Sequence, residues 1–110
     1  MRTEWTIMTM IDADELLPAE RIRQAVVAGE VTQLHRGDRH ATEGDQFTID
    51  DVLFEVTTVR EEQLGELTNE DARAEGSENL AAYKKRIERT HDTTWDDTDT
   101  TVRHEFERID

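Results

Sequence analysis

The sequence predicts one small α+β domain, 1–110, with five or six strands and two or three helices. Three observations carry that expectation. Val52 to Val59 places apolar residues on both faces of an extended run, as a central strand requires. Ile22, Ala25, Val26 and Gly29, and later Leu80, Tyr83 and Ile87, fall at helical spacing. Val102, His104 and Phe106 alternate in a final strand that Ile109 closes. A chain of 110 residues buries about two-thirds of its extended surface, enough for one modest core.

Taken in order, Glu4 to Ile11 reads as a strand, with Trp5 and Ile7 on one side and Met8 and Met10 on the other. Pro18 sits where a first helical turn tolerates it, and Gly29 supplies a permissive C-terminus for the helix that follows. A short extended piece runs through Thr32 and Leu34 into turns at Gly37-Asp38 and Gly44-Asp45. Phe47 and Ile49 form a short strand that Asp50-Asp51 turns into Val52 to Val59. Thr68 with Asp71 three residues later has capping-box spacing and opens a short helix ending near Gly76. Ser77 is placed to cap the next helix, and Asp92 to Thr101 is an acidic, threonine-rich loop.

Charge is the next constraint. The chain carries 27 Asp plus Glu against 13 Lys plus Arg, a formal net charge of -14, and only Lys84 and Lys85 are lysines. Self-repulsion at this density is relieved by salt, so the composition points to a halophilic, salt-rich cytoplasm. Unfolding midpoints are therefore expected to rise as chloride goes from about 0.1 to above 1 M, and a flat curve would leave the acidic surface without this explanation. The absence of cysteine excludes disulfides, thiolate zinc sites and a cysteine nucleophile. No apolar run approaches membrane-spanning length, and no signal peptide is visible, so no membrane partner and a cytoplasmic location are expected.

Against that charge, Val31 to Thr42 is an exception, with net charge +1 and two histidines. Arg36 and Arg39 offer planar donors suited to phosphate, carboxylate or a base edge, and Gly37 lets a ligand approach the backbone. The plainer reading pairs both arginines with the abundant surface carboxylates. If Thr32, Leu34 and Arg36 share one strand face, Arg36 points toward a pocket while His35 packs or faces solvent. His35, His40, His91 and His104 show no metal-ligand spacing, so no metal is expected. Asp96, Asp97 and Asp99 lack the glycine and closing glutamate of a calcium loop, and too few glycines exist for a phosphate-cradling loop. No cofactor is expected. Glu75, just before Gly76, sits where the chain must turn and its side chain could be directed over a groove.

The order of these signals resembles an ASCH domain, a small β-barrel-like member of the PUA-like group. The similarity runs from about Trp5 to Ile109, includes LGELTNEDARAEGSENLAAY and a last strand bearing HEF, and is most specific from Leu67-Thr68 through Glu75-Gly76 followed by a helix. It implies a PUA-like mixed β-barrel and an RNA- or nucleotide-binding module with RNA or a modified nucleoside as partner; a monomer or weak dimer is expected. Some family members resemble amidohydrolases acting on acetylated cytidine. In that pattern Val31 stands at the family's lysine position, Leu34 at its threonine, Arg36 at its arginine and Glu75 at its acidic residue. Valine supplies neither nucleophile nor cation and leucine no hydroxyl, so binding is favoured over N-acylated nucleoside hydrolysis. A non-catalytic small-molecule or protein-binding module is the remaining alternative. The candidate ligand-binding residues are Arg36, Glu75, Thr32, Arg39 and His35, in a groove expected to expose both Arg36 and Glu75, with Tyr83 or Trp95 available for stacking.

Overall fold

The computed structural model describes residues 10–109. They form helix α1 (Ala13–Leu16), α2 (Glu20–Val27), strands β1 (Gln33–Arg36), β2 (Gln46–Ile49) and β3 (Val52–Gln63), a 3-10 turn (Leu64–Glu66), α3 (Asn69–Ala74), α4 (Leu80–His91) and β4 (Thr100–Arg108). The four strands make one antiparallel sheet in the order β1-β4-β3-β2. The anticipated strand Glu4 to Ile11 lies outside the described residues except for its end, where Met10 bridges Gln46 in parallel and Ile11 donates to the Gln46 carbonyl at 2.8 Å.

Local chemistry explains most elements. Asp50 and Asp51 both adopt positive φ, which gives the two-residue turn whose twist suits a tight hairpin. Across that hairpin Phe47 pairs with Phe54, their rings stacked at 5.4 Å, and Phe106 meets Phe47 edge-on at 5.6 Å. The Thr68 capping box forms reciprocally, Asp71 N–H donating to Thr68 Oγ1 and Thr68 N–H to Asp71 Oδ2. Helices α2 and α3 end alike. In α2, Gly29 N–H donates to Val26 and Glu30 N–H to Ala25; in α3, Gly76 N–H donates to Arg73 and Ser77 N–H to Ala72. Gly29 and Gly76 supply the left-handed residue of these Schellman turns.

Several expectations need correction. Ser77 is spent on closing α3, so Asn79 caps α4, its side chain accepting from Ala82 N–H at 2.9 Å. β3 continues past Val59 to Gln63. The described residues hold four helices rather than two or three, because α1 is a single turn whose cap, Asp12, makes no side-chain bond. Burial of Leu16 and Leu17, not local signals, holds that turn.

The sheet has two unlike faces. Phe47, Ile49, Phe54, Val56, Val59, Val102 and Phe106 form the apolar core with Leu16, Leu17 and Val26 of the first two helices. Across the strands, alternation puts Gln33 and His35 of β1, Arg103 of β4 and Glu62 of β3 on the opposite side, where α3 and α4 cover them. A second, smaller cluster of Leu67, Ala72 and Tyr83 packs beneath those helices, flanked by Leu80, Ile87 and Trp95.

Candidate functional site

β1 is an edge strand, so its two sides meet different partners. Phe106 N–H donates to the Thr32 carbonyl at 3.2 Å, which turns the even-numbered residues of β1 toward β4 and the backbone of Gln33 and His35 outward. The outward His35 N–H finds a side chain: Glu75 Oε1, at 3.2 Å. Glu75 occupies the C-cap of α3, and the Schellman turn at Gly76 brings the chain around so that this carboxylate points inward.

Four donors converge on Glu75. Tyr83 Oη donates to Oε1 at 2.8 Å beside the His35 N–H, while His35 Nδ1 and Gln33 Nε2 reach Oε2 at 2.5 and 3.2 Å. The other ring nitrogen of His35 contacts Glu62 Oε1 at 3.0 Å. Arg103 joins the remaining groups, its Nε donating to Glu62 at 3.0 Å and its Nη1 contacting Asp71 at 2.9 Å, Gln33 at 3.2 Å and Glu105 at 3.0 Å. Burial would raise the Asp71 carboxyl, but Arg103 and Thr68 hold it down at about 2. Burial would likewise lower His35, yet Glu75 and Glu62 together raise it. Burial beside Glu75 pushes the Tyr83 hydroxyl far up, so it stays a donor.

Above this network lies a groove of about 490 Å³ between α2 and α4, running along the β1 edge. His35 and Tyr83 belong to its floor, Arg36 and Leu34 to one wall, and Arg86 and Ile87 to the other. The lining carries Arg21, Arg36 and Arg86, together with the imidazoles of His35 and His91, against Asp99 alone, an inversion of the overall balance of -14. Arg36 Nη1 also donates to the carbonyls of Leu16 and Glu15 at 2.8 and 3.0 Å, tying the groove wall to the end of α1. Arg86 lies over the Tyr83 ring at 5.2 Å.

The five residues singled out from sequence divide. Arg36, His35 and Glu75 come together, but not with Arg36 and Glu75 side by side on a wall: Glu75 is 0% exposed and sits beneath the floor, behind His35 and Tyr83. Polar partners on α4 and β1 draw it in. Thr32 is exposed and lines a different cavity, beside Val31 and Phe106. Arg39 is exposed beyond the end of β1 and outside the groove lining. Tyr83 is 2% exposed with its hydroxyl taken, and the half-buried Trp95 packs edge-on against it at 6.2 Å rather than lining the groove, so neither ring is placed to stack on a ligand there. Among the described residues no group of His, Asp and Glu is arranged to hold a metal ion, and no helix is long and apolar enough to cross a membrane.

Arg103, Glu62 and Gln33 escaped the sequence reading, which gave Asp71 a capping role alone. Arg103 alternates with Val102 and His104 and so belongs to the other sheet face, which was the one available signal.

No family model and no curated protein matches this chain. Solved structures do. An ASCH domain from Lactobacillus crispatus JV V101 superimposes with a TM-score of 0.66 at 16% identity, covering 91% of this chain and 79% of that one. The fold is that of an ASCH-like domain. Protein EF3133 from Enterococcus faecalis V583, described as DUF984, is also similar, with a TM-score of 0.54 at 19% identity over 82% of this chain and 68% of its own. In this ASCH-like domain Val31 is 2% exposed within the apolar core, and Leu34 is a half-buried groove residue.

Proposed function

We propose that this ASCH-like domain is a binding module for RNA or a nucleotide, with a phosphate held among the cations of the groove. The observation that carries the reading is the charge inversion: arginines and histidines gather around one cavity in a chain of net charge -14. Arginine forks suit phosphate oxygens, and low-dielectric walls strengthen each contact. Hydrolysis is less well supported. Both oxygens of Glu75 are taken by donors and the residue has no exposed surface, so no lone pair is free to activate a water in the groove. The residue at position 31 is a core valine, and no lysine lines the cavity.

Arg36→Glu tests the reading against Lys85→Glu, an exposed position of α4 outside the groove. Binding of short single-stranded RNA at moderate salt should be abolished by the first and barely altered by the second. Loss of one phosphate contact lowers the salt slope by about one, whereas a base-edge contact costs roughly 1–3 kcal/mol and alters sequence preference. Equal losses from both substitutions would reduce the effect to net charge. Undiminished binding by Arg36→Glu would remove the groove as the site and favour a protein-binding module.

A further inference from the structure

We propose that the groove takes its anion together with a proton held on His35, so that affinity for a phosphodiester falls when rising pH removes that proton. The inference rests on the reading of the groove as an anion site and adds the group that governs it.

Hydrogen-bond geometry is the starting point. His35 places Nδ1 2.5 Å from Glu75 Oε2 and Nε2 3.0 Å from Glu62 Oε1, with its side chain 2% exposed. A neutral imidazole has one N–H and one lone pair, so it serves one carboxylate and turns a lone pair toward the other. Only the imidazolium donates to both. Every element packed against the ring contributes charge: Asp71 and Glu75 from α3, Glu62 and Arg60 from β3, Arg103 and Glu105 from β4, Arg86 and the Tyr83 hydroxyl from α4. Within the buried part, Glu62, Asp71 and Glu75 face Arg103 and His35. Loss of the His35 proton removes one of those two cations directly beneath the groove.

The consequence for a ligand is electrostatic. His35 belongs to the groove floor but is too enclosed to serve as a principal contact, so it acts through its charge and by holding the β1 edge against Glu75. An anion among Arg21, Arg36 and Arg86 is favoured by the buried cation below it. By reciprocity, the bound anion tightens the hold of His35 on its proton. His35 is thus a positioning and charge-setting residue, not a catalytic one.

The probe is the dinucleotide adenylyl-adenosine, whose phosphodiester keeps one negative charge throughout the range used. Its affinity is measured by titration calorimetry from about pH 6 to 9 at constant chloride, in the natural chain and in His91→Asn, which removes the other imidazole of the groove. The His35 ring is followed by NMR in parallel. Affinity should fall about tenfold as His35 loses its proton, in both backgrounds, and saturation with the dinucleotide should raise the His35 midpoint by about one pH unit. Glu62→Gln, which keeps the side-chain volume and removes one facing charge, should move both midpoints to lower pH. Binding that depends on Arg36 yet stays flat with pH, or loses its pH dependence in His91→Asn, overturns the proton linkage and leaves the groove reading intact. No binding at any pH overturns both.

Discussion

Glu75→Ala should destabilise the domain by about 3–5 kcal/mol, the cost of removing one partner from a buried ionic cluster. The substitution strands the Tyr83 hydroxyl, the Gln33 amide, the His35 backbone N–H and one ring N–H around an empty space. Each buried donor left unsatisfied costs about 1–3 kcal/mol before relaxation. Since a domain of this kind is stable by only about 5–15 kcal/mol, the loss removes a large share of the total. Urea unfolding at constant chloride measures it. Glu75→Gln keeps the volume and one acceptor and should cost less, while Tyr83→Phe, which removes a single donor, should cost about 1 kcal/mol. The Glu75 and Tyr83 effects should also be non-additive, because they share a hydrogen bond of 2.8 Å. A cost below about 1 kcal/mol for Glu75→Ala would mean that water enters and satisfies the cluster, and the buried-network account would fail.

That network shows where sequence reasoning runs out. The Thr68 capping box, the Asp50-Asp51 turn and the glycine that ends each of α2 and α3 are short-range devices, so their residues announce them. The alternation of Val102, His104 and Phe106 is equally local, and it correctly separates one face of β4 from the other. What alternation leaves open is whether the second face meets water or protein. Gln33, His35 and Arg103 look like solvated residues until α3 and α4 are laid over them, and that placement depends on contacts among residues roughly forty positions apart or more. His35 illustrates the limit: the strand faces predict that it lies opposite Arg36, but only the covering chain brings a buried carboxylate to each of its ring nitrogens. The position of Glu75 at a helix end was equally legible, while the inward turn of its side chain was not. α1 was missed for the complementary reason, since one turn without a side-chain cap carries no signal beyond the burial it acquires.

Between pH 6.5 and about 4 the domain should lose about 3 kcal/mol of stability through one residue, His104. Its ring is fully buried on the apolar side of the sheet; Nε2 accepts from the His40 N–H at 3.1 Å, and Nδ1 finds no partner among the described residues. Burial drives its pKa from 6.5 down to about 4, so the folded chain refuses a proton that the unfolded chain accepts. The stabilisation is therefore fully present above pH 6.5 and is lost as pH falls toward the folded value, at about 1.4 kcal/mol for each pH unit. His35 does not mask this limb. Its pKa is raised on folding, so its contribution is complete below 6.5 and disappears only as pH climbs through the raised value. Asp71 does not mask it either, because a carboxyl lowered from 3.8 to about 2 gives up its stabilisation only as pH falls from about 3.8 toward 2, below the range in which His104 titrates. His104→Gln, whose amide oxygen can still accept from His40, should flatten unfolding free energy between pH 6 and 4.5 while leaving the alkaline limb unchanged. A slope identical to that of the natural chain would assign the acid sensitivity to the surface carboxylates and remove His104 from the account.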